Sequence, residues 1–214
     1  LQASFPPRDL TRDRIPLDDY CSLEDNVCLD EDLVKSVLDE LPRQKAIGFH
    51  GWSYDLLQTL SAGDDAAVFR SHITQLFNLL LQGAFNNPEE WSTDRIVPLV
   101  KPDGSLRPIV VSDVWLRVLG RCVARHLAPK AAKALAPYQF GVGVRGGCEV
   151  ITHAIHAMES MLATDNMGVP PEDQWSIQTI DFSNAFNTIG RASIHAALRT
   201  TFPGLIPFFR FAYS

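Results

Sequence analysis

The chain has 214 residues, 46% of them hydrophobic and 21% charged, which suits a globular protein with one large core or two small ones. No apolar run approaches the length of a membrane span, and Leu1-Gln2-Ala3-Ser4-Phe5-Pro6-Pro7 lacks the basic-then-apolar order of a signal peptide, so neither is expected. The net charge of −6 hides an asymmetry: residues 1–65 carry 14 acidic and 6 basic side chains, residues 95–145 carry 2 acidic and 9 basic, and such a basic block suggests a polyanion on one surface.

Residues 1–47 read as an N-terminal extension, Pro- and Asp-rich and extended up to about residue 29. It opens without Met, as an excised piece would. Within it Leu33, Val34, Val37, Leu38 and Leu41 fall on one helical face, which Pro42 ends. Cys21, Cys28, Cys122 and Cys148 are scattered, without the spacing of a zinc knuckle, and read as reduced thiols of an intracellular protein. Gly48-Phe49-His50-Gly51-Trp52-Ser53-Tyr54 is a glycine-punctuated loop, and Ser53 is placed to cap a short helix bearing Leu56, Leu57 and Leu60. A longer helix is expected from about Asp64 to Gln82, with Phe69, Ile73, Leu76, Phe77 and Leu80 as its buried stripe and Gly83 as its stop.

Arg95 to Lys101 and Ser105 to Val111 are β-rich and meet at Pro102-Asp103-Gly104, a strong hairpin signal; Pro98 and Pro108 restrict them to edge strands. Ser112 then caps a helix to about Leu127, and a second short helix follows Pro129 to Leu135. The loop Tyr138 to Gly147 leads into a helix with Val150, Ile151, Ala154, Ile155, Met158 and Leu162 on one face. Trp175 to Phe182 reads as a strand, Arg191 to Arg199 as a helix, and Pro203-Gly204 as a break before a last apolar helix.

Four groups of residues bear on chemistry. Lys101 and Arg107 flank the hairpin turn, where they could clamp a triphosphate; the segment alone reads as a solvated tip. Arg117, Arg121 and Arg125 stand at i, i+4 and i+8 and form a basic ridge, continued by Lys130 and Lys133. Like charges at that spacing repel by a few tenths of a kcal/mol per pair, so a phosphate backbone alongside and a plainly solvated face are both open readings. Gly141-Val142-Gly143-Val144-Arg145-Gly146 matches the dinucleotide fingerprint, but it follows a helical Ala/Lys stretch rather than a strand. Its glycines suit a close backbone approach to another chain, such as nucleic acid. Last, Asp181 at the end of a strand has Phe186 five positions on, although a lone Asp there is more often a cap than a metal ligand.

The order of these features is more specific than any one of them. From about Gly48 to Ser214 the chain resembles the reverse transcriptase domain of non-LTR, LINE-like retrotransposons. Gly48-Phe49-His50-Gly51-Trp52 resembles the family's glycine-rich opening loop, Lys101 to Ile109 its fingers hairpin, and Gln139-Phe140-Gly141-Val142-Gly143 its next block. Asp181-Phe182-Ser183-Asn184-Ala185-Phe186-Asn187-Thr188 resembles its first catalytic motif. The resemblance implies an α+β fold: fingers over residues 48–174, and the first part of a palm over 175–214, with helices around a β-hairpin and a partial antiparallel sheet.

It also implies roles. Asp181 and the Phe182 carbonyl would bind Mg²⁺, or Mn²⁺ in its place. Lys101, Arg107, Asn184 and Ala185 would meet the triphosphate, and Phe186 would exclude a ribose 2′-OH. Arg117, Arg121, Arg125, Gln139, Gly141, Gly143 and Arg145 would lie along nucleic acid. The partners would be an RNA template, a DNA primer and dNTP, without a membrane, and the reaction would be RNA-directed DNA synthesis. A two-metal site needs further carboxylates, and no Asp or Glu follows Asp181. The expectation is therefore a truncated domain, inactive alone, that lacks the rest of the palm and the thumb of its polyprotein. Gly190 stands where the family leads one to expect an acid. The other reading is a catalytically inactive, nucleic-acid-binding remnant of a retroelement.

Overall fold

The computed structural model describes residues 26–85, 88–91, 93–182 and 185–213, with the backbone alone at 88–89 and 186–187. Most of the N-terminal extension, with Cys21, therefore lies outside the described residues, as do Asn184 and the Phe186 side chain. The described chain is mixed helix and sheet. It divides into two compact units, residues 1–126 with 184–214, and residues 127–183.

The first unit is built on three helices: α1 (Glu31–Asp39), α2 (Tyr54–Ala62) and α3 (Ala66–Leu81), each packed on the other two. Local signals place them. The Asp30 carboxylate accepts from the Leu33 N–H at 2.7 Å and the Ser53 hydroxyl from the Leu56 N–H at 3.1 Å, so both helices start at side-chain caps. Gly83, at φ +66°, turns the chain out of α3. Val34, Val37, Leu38, Leu57, Ile73, Phe77 and Leu80 form the core, the driving force being removal of apolar surface from water. On α2 the buried face is Tyr54, Leu57 and Ser61, while Leu56 and Leu60 are exposed. A nine-residue helix packed along one side buries only a narrow stripe.

Two long-range amides join these helices. Asn78 on α3 exchanges hydrogen bonds with the backbone of Leu29, at 2.8 and 3.0 Å. Gln58 on α2 donates to the carbonyls of Leu38 and Leu41, at 3.2 and 2.9 Å, so it ties α2 to the chain at the end of α1.

After the four-residue α4 (Pro88–Trp91) come β1 (Arg95–Val100) and β2 (Leu106–Val111), an antiparallel pair in the register Arg95↔Val111 to Val100↔Leu106. Pro98 faces Pro108. The Lys101 N–H bonds the Ser105 carbonyl at 2.8 Å, so by alternation the proline pair occupies a position whose N–H groups would point away from the partner strand. That is how two prolines fit one hairpin.

Helix α5 (Val114–Leu135) departs from expectation twice. The carboxylate that accepts from its first turn is Asp113, at 3.1 Å from the Trp115 N–H, not the Ser112 side chain. The helix also runs through Pro129 instead of breaking, with one i−4 bond lost. The C-terminal elements α7 (Ala185–Thr188), α8 (Arg191–Thr201) and α9 (Ile206–Tyr213) belong to the first unit, where α9 packs on α3 and α8. Ile206, Phe209 and Phe211 are buried there, and His195 is buried beside Phe209.

The second unit holds α6 (Gly147–Asp165), a 3₁₀ turn at Pro171–Asp173 and the segment to Ser183. The apolar face expected of α6 is largely open: Val150, Ile151 and Met158 are exposed. The expected strand Trp175 to Phe182 is irregular chain without a ladder partner among the described residues. Its entry is held instead by Asn166, which exchanges two 2.9 Å bonds with the Trp175 backbone.

Two outcomes follow from this packing. Cys122 is fully buried, and burial pushes its thiol up to about 11, so at pH 8 it should resist thiol labelling until the chain is denatured, while Cys28 and Cys148 label in the native state; mass spectrometry of labelled peptides reads this. A Cβ at Gly48 would lie 2.8 Å from both the Cα and Oδ2 of Asp113. Gly48→Ala should therefore cost about 1–3 kcal/mol of stability, read by denaturant unfolding.

Candidate nucleotide and nucleic-acid site

The hairpin tip is a tight turn closed by the Gly104 N–H to the Lys101 carbonyl at 2.9 Å, with Gly104 at φ +80°. Asp103 accepts from the Ser105 N–H and hydroxyl at 2.9 and 2.7 Å. Those bonds, and Lys101 nearby, hold its carboxyl below the usual range. The register sets Arg107 opposite Leu99, and the Lys101–Ser105 bond extends that alternation by one residue. Lys101 and Arg107 thus project from the same face, on adjacent strands and one diagonal step apart. Both are exposed.

The arginines of α5 are arranged differently from a solvated ridge. The Arg117 guanidinium donates to the Ala46 carbonyl at 2.6 Å and lies over the Tyr54 ring, 4.9 Å from its centroid. Arg121 lies 5.8 Å from the same centroid. Arg125 forks onto both carboxylate oxygens of Glu40 and donates to the Ser36 hydroxyl at 3.1 Å. The ridge therefore clamps α5 to α1, α2 and the loop between them. The bonds to Arg125 hold the Glu40 carboxyl low and raise the Arg125 guanidinium.

In the second unit, the Gln139 side chain folds back to accept from the Gly141 N–H at 2.6 Å. Gly143, at φ +70°, brings the loop against α5: a Cβ there would meet the Ala128 carbonyl oxygen at 2.6 Å and the Ala132 Cβ at 3.0 Å. The close approach its glycine permits is thus to this chain's own helix. Arg145 is exposed. The run Gly141 to Gly146 follows a helix, so it is not the strand–glycine loop–helix of a dinucleotide site.

Asp181 and Phe182 are exposed in the segment after Trp175 of the second unit, and Ala185 opens α7 in the first. Among the described residues no cluster of three or more His, Cys, Asp or Glu could hold a metal. One carboxylate and a carbonyl do not fit the pair of ions that two-metal transfer requires, so these two oxygens alone do not make a catalytic centre. No described helix is long and apolar enough to cross a membrane.

Sequence reasoning missed Asp113 and its partner His50. The carboxylate is buried, and its Oδ2 lies 3.1 Å from His50 Nδ1 and 3.4 Å from the His50 N–H. The signal available was Gly48 two residues before His50, a position where a loop closes on something.

No family model and no solved structure matches the chain. Over 173 residues it is 26% identical to the retrotransposable element SLACS 132 kDa protein of Trypanosoma brucei gambiense. The match covers 78% of this chain and 13% of that protein. This similarity points to a retroelement origin.

The Arg125–Glu40 contact predicts a pH effect. Because the folded carboxyl titrates below its ordinary 4.5, the contribution is present above that value and is lost as pH falls through the lowered one. Melting curves of the native chain and of Glu40→Gln should therefore differ near neutrality and converge in acid. The difference should be small and should shrink with salt, because the pair is exposed.

Proposed function

We propose that this chain is part of a reverse transcriptase, the fingers and the start of the palm, from a non-LTR retroelement. The observation that carries the reading is the sequence similarity to a retrotransposon protein over most of the chain, joined to the order of the motifs from Gly48 to Thr188. The chain spans 13% of that relative's length, so the activity belongs to a larger assembly. Supporting it is the pairing of Lys101 and Arg107 on one face of an exposed hairpin, which suits a triphosphate: Arg offers a planar fork and Lys a point charge.

In this reading Lys101 and Arg107 orient the triphosphate, and the Asn184 and Ala185 N–H groups meet its β- and γ-phosphates. Phe186 fills the space a 2′-OH would need. Asp181 and the Phe182 carbonyl supply two oxygens toward Mg²⁺ or Mn²⁺, which when bound would draw charge from the phosphates; the remaining carboxylates come from outside this chain. Gln139, Gly141 and Arg145 lie along the RNA template or DNA primer, while Gly143 seats their loop on α5. Arg121 is the ridge arginine best placed for phosphate, since Arg117 and Arg125 already have carbonyl and carboxylate partners.

The reading is tested by single-nucleotide extension on a primed RNA template. The 214-residue chain alone should give none. In the full natural polypeptide, Asp181→Ala should abolish incorporation of dNTP and rNTP alike. Phe186→Val should keep dNTP use and admit rNTP. Extension that persists in Asp181→Ala, or an unchanged dNTP/rNTP ratio in active Phe186→Val, would remove the assignment. RNA binding without any extension by the full polypeptide would instead favour the inactive remnant.

Nucleic-acid contact has its own measurement. Replacing Lys101, Arg107 and Arg121 by Gln should weaken RNA binding equally for all sequences, and each lost phosphate contact should flatten the log–log salt slope by roughly 0.7–0.9. An unchanged slope would leave the hairpin a solvated tip.

A further inference from the structure

The hairpin is where this fold leaves backbone open to another chain. It is a two-stranded sheet, and among the described residues no third strand pairs with β1 or β2. Both strands are therefore edges, and an edge strand offers its outward N–H and C=O groups to any chain that can extend beside it. The register says which groups those are. The Lys101 N–H bonds the Ser105 carbonyl, so by alternation Leu99↔Arg107 and Val97↔Ile109 also bond across the hairpin. The outward groups then belong to Ile96, Pro98 and Val100 on β1 and to Leu106, Pro108 and Val110 on β2.

These six residues share one face of the hairpin, and none is polar. Ile96, Val100, Leu106 and Val110 are 43–73% exposed. Aliphatic edges of this kind invite strand addition, by a second copy of the same hairpin above all. Proline occupies the middle outward position of each edge. It has no N–H to give, and its ring carbon stands where the hydrogen would be. A second copy adding antiparallel to β1 about its centre would set its own Pro98 against this one, and both central donors would be lost at once. Pro108 does the same for β2.

We propose that Pro98 and Pro108 are a matched pair of edge guards, which keep the hairpin from adding a strand of a second copy at either side. Neither proline alone covers both edges, since each belongs to a different strand. The hairpin is thereby left to meet other molecules through its faces, one of which carries Lys101 and Arg107. The inference uses only the register and the chemistry of proline, so it holds whether or not that face binds a nucleotide.

The test is the self-association of the whole 214-residue chain and of its double variant Pro98→Thr/Pro108→Thr. Threonine favours a strand, restores the N–H and makes the shared face less apolar. Association through that face would therefore weaken, while association through the edges would tighten. Sedimentation velocity over a concentration series should show the double variant self-associating at concentrations about tenfold lower than the native chain, or lower still. Amide exchange read residue by residue should place the new contact. The Ile96, Val100, Leu106 and Val110 N–H groups should exchange fast in the native chain and gain about tenfold or more protection with concentration in the variant. Each single variant should uncover its own edge only. Unchanged or weaker association by a variant whose Val97, Leu99, Arg107 and Ile109 amides stay protected would overturn the proposal. So would outward amides that are already protected in the native chain. If the double variant fails to fold, the single variants and the native exchange pattern decide.

Discussion

The first unit depends on one buried carboxylate. Asp113 stands at the entry to α5, with its side chain 3% exposed, where an unpaired charge would be costly. It is paired three ways: the Trp115 N–H on the helix, and the backbone N–H and ring of His50 in the glycine loop. A single group therefore caps the 22-residue α5 and pins a loop 63 residues earlier in the chain. Gly48 is required for that approach, because any Cβ would collide with the backbone of Asp113.

With α5 anchored, its arginines acquire a structural task. Arg117 reaches Ala46 and Tyr54, and Arg125 reaches Ser36 and Glu40. A face that looks like three repelling cations becomes a seam holding the helix to α1 and α2. Structural and nucleic-acid roles are compatible at Arg121, which lies over the ring of Tyr54 and is exposed. The positive face that a polyanion would meet is consequently narrower than the sequence suggests. The hairpin is the counterpart: Lys101 and Arg107 share a face there and remain exposed.

The second unit differs in character. Val150, Ile151, Met158 and Met161 on α6 and Trp175, Ile180 and Phe182 beyond it are exposed. Apolar surface on this scale normally has something to cover it. The segment that carries Asp181 has the composition of a strand, yet it has no ladder partner among the described residues. A strand is a relation between two segments, so composition alone cannot complete it.

Features that depend on neighbours a few residues away could be read from the amino-acid order. Ser53 as a cap, Gly83 as a stop, Asp103-Gly104 as a hairpin turn and the stripe Ile73, Phe77 and Leu80 were all legible, because each reports a turn or a helical period. The likeness to a retroelement was legible in the amino-acid order as well. Long-range packing set the rest. It buried His195 against Phe209, gave Arg125 a carboxylate 85 residues away, left Leu56 and Leu60 in solvent, and carried α5 through Pro129. It also gathered Trp52, Trp91 and Trp115 around Asp113. These outcomes rest on contacts between segments distant in the chain, and no local pattern of apolar and polar residues encodes which segments meet.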